Sequence, residues 1–147
     1  MFRQLTQFSK QRILVPVKVR NINTRLSIDV DDALWDTGAV QTVISKNIAK
    51  CLQLKPTSIG KVDTANGTVR SWTVSCEFEL PDGGVFEIKN VIVPDNNLKG
   101  HVVLGMDIMS FGISQIKTIN IDNQKYIELL FEITSGAIKI VLSYIRV

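Results

Sequence analysis

Asp32-Ala33-Leu34-Trp35-Asp36-Thr37-Gly38-Ala39-Val40 is the stretch on which the reading of this chain turns. Apolar residues run into Asp-Thr-Gly, and a second strand-like run, Thr42-Val43-Ile44-Ser45, follows at once. Asp is poor strand material, and an Asp in an exposed loop would not need such apolar flanks. A strand that ends in a carboxylate, turns on a glycine and leaves as another strand holds that carboxylate on rigid backbone. Thr37 can hydrogen-bond locally or across an interface, and Gly38 lets the backbone turn and approach closely. The pattern predicts an acid shared with a partner at a buried junction.

Outward from this stretch, short strand-like runs alternate with turn signals. Ile13 to Val19 reads as a strand, with Pro16 marking an edge or an end. Leu26 to Val30 and Ala33 to Trp35 bring the chain to Asp36. Ser45 has the character of a helix N-cap before Lys46 to Leu52, whose Ile48, Ala49 and Leu52 share one face, and Pro56 closes that helix off. Ile59 to Thr64 and Thr68 to Val74 read as a hairpin turning at Ala65-Asn66-Gly67, since Asn-Gly is a strong short-range hairpin signal. A second hairpin sets Ser75 to Leu80 against Val85 to Lys89 around Asp82-Gly83-Gly84, with Val91 to Val93 extending its second arm. Val102 to Gly105 is a further strand and Met106 to Phe111 a second short helix. Ser114 to Ile121 pairs with Tyr126 to Ile133 around Asp122-Asn123, and Ala137 to Val147 alternates as a last strand. The expectation is an all-β, closed-barrel-like fold with one or two short helices.

Composition bounds the rest. At 147 residues and 45% hydrophobic, the chain fits one compact domain with its own core, spanning 1–147. The net charge of +3 is scattered, with no basic face of the kind nucleic acid demands, so no nucleic-acid partner is expected. Neither a secretory leader nor a run of the ~20 apolar residues a membrane helix needs is visible. No membrane partner is therefore expected, and a cytoplasmic location is. Cys51 and Cys76 lack ligand-type spacing and read as free thiols in a reducing compartment. His101 is the one histidine, too few for a zinc set, so no metal and no cofactor are expected.

Asp36-Thr37-Gly38-Ala39 with these flanks resembles the active-site triplet of the aspartic proteases, and the chain length resembles that of the single-domain, retropepsin-like branch. A second match follows at Val103-Leu104-Gly105, where family members carry apolar residues, then Gly, then a short helix. The resemblance covers roughly residues 13 to 120. Three common residues recur by chance, but two motifs in order at a suitable spacing are specific. The retroviral enzymes carry an acidic residue shortly after the triplet and an Arg after the second-motif Gly. Here those places hold Val40 and Met106, and Met106-Asp107 is closer to the bacterial and cellular relatives. Trp35 stands where a smaller aliphatic residue is usual, and either crowds the site or fills a larger pocket behind it.

The resemblance implies an acid-protease barrel that hydrolyses peptide bonds of a protein or peptide substrate. Asp36 would be the catalytic acid, Thr37, Gly38 and Ala39 its supporting loop, and Ala65, Asn66 and Gly67 the tip of a flap. Asp63-Thr64-Ala65 is the nearest approach to a second triplet, but it lacks Gly and reads better as a hairpin arm. With one triplet per chain, the chemistry requires a homodimer, with Asp36 of each copy meeting on a two-fold axis. In the family pattern Thr37 would bond across that axis, and the terminal segments would interleave as dimer strands. Ala137 to Val147 suits that role, or that of a strand closing its own barrel. Trp72 either wedges the flap base or belongs to the core. Asp107 is expected to cap or pair at the helix start. The alternative is a module of the same fold that binds peptides or assembles without turnover.

Overall fold

A computed structural model describes residues 1–64, 67–96 and 100–134. Among these residues, ten strands and two short α-helices follow one another, with a single 3-10 turn at Phe8–Lys10: β1 (Phe2–Gln7), β2 (Leu14–Arg20), β3 (Ser27–Trp35), β4 (Val43–Ile44), α1 (Lys46–Cys51), β5 (Ser58–Thr64), β6 (Gly67–Glu79), β7 (Val85–Pro94), β8 (Val102–Leu104), α2 (Met106–Met109), β9 (Gly112–Ile121) and β10 (Gln124–Ile133). The all-β expectation is met.

The larger sheet has the order β2-β3-β8-β4-β7-β6-β5. Lys18 to Arg20 of β2 also pair with Glu77 to Glu79 of β6, which closes β2, β3, β8, β4, β7 and β6 into a ring and leaves β5 outside. Side chains alternate across such a wall with a period of two. Val15, Val17 and Val19 of β2 accordingly point inward, as do Val74, Cys76 and Phe78 of β6, all buried. β1, β10 and β9 form a separate sheet of three strands, laid on this core through Phe2, Leu129 and Phe131.

Several expectations are refined. Pro16 marks an edge, not an end: β2 runs through it, with a register shift between Val15 and Val17, and pairs there with β3 alone, since its pairing with β6 begins at Lys18. The ring has no N–H to give the ladder, and the bulge removes the need for one. Leu26–Val30 and Ala33–Trp35 merge into the single β3, and the arms on either side of Ser75 are one strand, β6, with an irregularity between Val74 and Cys76. Ser45 caps α1, its hydroxyl accepting from the Ile48 amide at 3.3 Å. The Asp122-Asn123 turn has positive φ at both positions, 48° and 64°, as a two-residue type I′ hairpin requires. The N-terminal segment, expected as a dimer-forming strand, is β1 and pairs within the chain, Phe2 opposite Phe131 through Gln7 opposite Tyr126. The Ala137–Val147 stretch lies outside the described residues.

Candidate active site

β3 lies parallel to β8, with Leu34 opposite Val103 and Trp35 opposite Leu104. The ladder continues one step further, the Asp36 amide donating to the Leu104 carbonyl at 3.0 Å. The carboxylate therefore leaves from the last anchored residue of a central strand. The chain then turns: the Ala39 amide donates to the Asp36 carbonyl at 3.2 Å, and the Gly38 amide donates to Asp36 Oδ1 at 2.9 Å. A Cβ on residue 38 would stand 3.2 Å from that same oxygen, so glycine keeps the carboxylate uncrowded. β4 carries the chain away, with Val43 between Ile92 of β7 and Val103 of β8.

The second motif clasps this turn. The Met106 amide donates to the Ala39 carbonyl at 2.8 Å and the Asp107 amide to the Val40 carbonyl at 3.1 Å. Gly105 packs so closely that a Cβ there would meet the backbone carbon of Gln41 at 2.7 Å and its oxygen at 2.8 Å. Asp107 accepts from the Thr42 amide at 2.9 Å and from the Thr42 hydroxyl at 2.6 Å. That hydroxyl in turn accepts from the Gly105 amide at 3.1 Å. Val103, Leu104 and Gly105 thus hold the loop that carries Asp36, and Asp107 has the pairing role its position suggested. Thr42, wholly buried, is the residue sequence reasoning passed over, since it reads as ordinary strand material. Its partner is 65 positions away, and the local signal for it is only an Asp in the first turn of a short helix.

Asp36 is half-buried, while Thr37 and Gly38 are exposed and Val40 keeps 77% of its surface in solvent. A concavity of about 570 Å³ opens beside Asp36 and Thr37, lined also by Phe8, Arg12 and by Ile116, Lys117 and Thr118 of β9. Arg12 is a cation at the site that the sequence did not single out. Trp35, by contrast, points away from solvent. It is 3% exposed, with Phe131 5.1 Å and Phe2 6.0 Å from it between ring centres, so it fills the space behind the site rather than crowding it.

The first hairpin pairs as expected, β5 antiparallel to β6 from Ser58 opposite Thr73 to Thr64 opposite Gly67, with Gly67 already in the second strand. Ala65 and Asn66 lie outside the described residues. β6 pairs with β7 from Ser71 onward, and the Asp95 amide adds one bond to the Arg70 carbonyl at 2.7 Å; beyond that point Lys61–Thr64 and Gly67–Arg70 pair with each other as a two-stranded ribbon. Asp63 accepts from the Thr68 hydroxyl at 2.8 Å across that ribbon, in the hairpin arm expected of it. Trp72 is half-buried at the ribbon's base and lines a cavity of about 490 Å³ with Lys46, Lys50 and Val93. His101 is exposed, and no group of His, Cys, Asp and Glu suited to a metal occurs among the described residues. No helix among them is long and apolar enough to cross a membrane.

Residues 20–110 match the family described as "gag-polyprotein putative aspartyl protease", well over half of the chain, and the protein belongs to this retropepsin-like aspartic protease family. Among solved structures, the EIAV protease complexed with the inhibitor HBY-793 superposes with a TM-score of 0.53 at 19% identity, over 71% of this chain and 91% of its own. A retropepsin-like aspartic protease from Rickettsia conorii covers 88% of this chain and 92% of its own, at 16% identity and a TM-score of 0.48. At 19% identity the viral likeness is one of fold. No curated protein matches the chain.

Proposed function

We propose that this protein is an aspartic endopeptidase, active as a homodimer in which each copy contributes Asp36. The supporting observation is the setting of that side chain: one carboxylate at the end of a central strand, oriented by the Gly38 amide and opening onto a solvent-accessible concavity. One such loop per chain is half of a dyad. An isologous contact places the loop opposite its own copy.

Two carboxyl groups brought together cannot both ionise, so they share one proton, as aspartic-protease dyads generally do. The ionised member takes a proton from a water between them, and the protonated member polarises the scissile carbonyl of an extended peptide. The water oxygen adds to that carbonyl, and the proton is returned to the leaving amine. Proton transfer of this kind is worth ~10² to 10⁴ in rate, with positioning supplying much of the rest. Thr37, exposed at the tip of the loop, is suited to bond across the axis. The ribbon around residues 61–70 is suited to cover a bound peptide and exclude water, through main-chain bonds of the kind an added strand makes. The domain is taken as a single unit over 1–147.

Trp35, buried in the core, does not block the site and so lends no support to a module of this fold without turnover. The test is cleavage of an unfolded protein by wild type and by Asp36→Asn, with sedimentation of both. The expected outcome is cleavage by wild type alone and a dimer for each. Equal cleavage by the variant, or an active monomer, would overturn the reading.

A further inference from the structure

We propose that the cavity between α1 and the base of the ribbon is a binding site for a small aromatic anion, a flat ring that carries a carboxylate on a short arm. Trp72 of β6 stands directly opposite Ile59 of β5 and Val93 of β7, so the three side chains form a row across one face of the sheet. Two residues further along β6, the same face turns Val74 into the core. The core ends before the row does: Val93 is wholly buried, Trp72 half-buried, and Ile59 keeps 72% of its surface in solvent. Ala49 and Leu54 line the space from the side of α1, and the cavity left against Trp72 and Val93 holds about 490 Å³. Small-molecule sites run to ~300–1,000 Å³.

The lining selects the ligand. Lys46 and Lys50 enter it from α1, and no carboxylate does. Lys46 is committed to Asp95 at 3.1 Å, but Lys50 is exposed and its ammonium has no partner among the described residues. The concavity beside Asp36 and the one lined by Asp29, Asp31 and Asp32 both have acid in their walls. Here a cationic guest meets like charge, whereas an anionic one meets an ammonium with no carboxylate of the lining in competition. Trp72 sets the other half of the ligand, because a flat ring packs on an indole in offset or edge-on fashion with a gain beyond apolar burial. The side-chain amides of Asn47 and Gln53 add donors to the same wall. A purely apolar guest would leave Lys50 and these amides unanswered, and a small inorganic anion would leave the indole uncovered. A ring bearing an acid group engages both. The cavity shares no lining residue with the concavity beside Asp36, so the site stands independently of the protease reading.

Titration of the isotope-labelled full chain with phenylacetate, followed by NMR, tests this. The chain has two tryptophans, so the buried Trp35 is an internal control for Trp72. Phenylacetate should move the Trp72 indole N–H and the Ala49 and Lys50 amides along one saturable curve, with Trp35 still. A Kd of ~1 to 10 mM is what a probe of ten heavy atoms supports. Phenylacetamide, of the same shape without the charge, should bind about tenfold more weakly. Lys50→Gln should melt as wild type does and weaken phenylacetate about threefold or more, leaving phenylacetamide unaffected. Trp72→Leu should weaken both probes, and should that variant fail to fold, Lys50→Gln still decides. No saturable shift at Trp72, equal binding of the two probes, or an unchanged affinity in Lys50→Gln overturns the site. None of these readouts involves peptide cleavage, so a chain that binds phenylacetate in this way and cleaves nothing keeps the site and loses the protease reading.

Discussion

The Asp107 carboxylate takes both the amide and the hydroxyl proton of Thr42, at 2.9 and 2.6 Å, and thereby ties the second motif to the strand leaving the Asp36 loop. Thr42 is wholly buried, so an Asp107→Ala variant leaves its amide without an acceptor and without water. Hydrogen bonds to a charged acceptor contribute ~1.5 to 3 kcal/mol, and an orphaned buried donor costs a similar amount. Asp107→Ala should lower unfolding stability by about 3 kcal/mol in urea melts, and Asp107→Asn, which keeps one acceptor oxygen, by less. Because the loop position is what is lost, peptidase kcat should fall further than KM rises. An Asp107→Ala protein with wild-type stability would mean that the Thr42 bonds contribute nothing net.

Gly38 and Gly105 should separate fold from chemistry. At Gly105 an added methyl would meet the Gln41 backbone at 2.7 Å, which cannot rotate aside. Overpacking of this kind costs ~1 to 3 kcal/mol, so Gly105→Ala should both destabilise the protein and displace the Asp36 loop. At Gly38 the same methyl would meet only Asp36 Oδ1, at 3.2 Å. Gly38→Ala should therefore melt close to wild type while its peptidase activity drops. Equal thermal shifts for the two variants would contradict this division.

Much of this arrangement is legible in the sequence, because its decisive interactions are local. Apolar flanks around Asp36, an Asn-Gly pair, an Asp-Asn pair and a serine before a helix each act through neighbours within a few residues. Interactions across the fold are what escape. The intrachain pairing of β1 is hidden because Phe-Arg-Gln-Leu-Thr-Gln buries only Phe2 and Thr6, and the polar Thr6 is made tolerable by accepting from the Leu14 amide at 3.2 Å. Nothing in six mostly polar residues announces that bond or the β10 edge waiting for them. Thr42 and Asp107 are hidden for the same reason: each is unremarkable alone, and the pair exists only once β4 and α2 have been brought together.

Trp35 offers a test of packing against polarity. Its ring sits against Phe2 and Phe131, while its Nε1 is buried with no hydrogen-bond partner among the described residues. Trp35→Ala should cost ~3 to 5 kcal/mol for the lost ring. Trp35→Phe retains an aromatic face and removes the unsatisfied donor, whose burial itself costs ~1 to 3 kcal/mol. The two effects oppose, so Trp35→Phe should lie within about 1 kcal/mol of wild type in chemical denaturation. A Phe variant as damaged as the Ala variant would show that the indole, not the aromatic packing, is what the core requires.

Acid stability should depend on Glu128, on the middle strand of the three-stranded sheet. Arg3 donates to it at 2.6 Å from β1, and Lys117 lies 3.5 Å away on β9. The hydrogen bond from Arg3 is the main reason its carboxyl titrates below the ordinary range, with the charges of Arg3 and Lys117 adding to it and burial opposing. A carboxylate whose pKa is lower folded than unfolded contributes stability above its unfolded value, near ~4.3, and loses it as pH falls through the folded value. The contribution is therefore present at neutral pH and disappears in acid, loosening β1 from β10. Arg3→Gln removes the principal cause, so the variant should lose stability at pH 7 and show a shallower further decline on acidification. Melting curves collected from neutral pH to well below the unfolded value would show wild type and variant converging. Parallel curves across that range would mean that the pair has no linkage to folding.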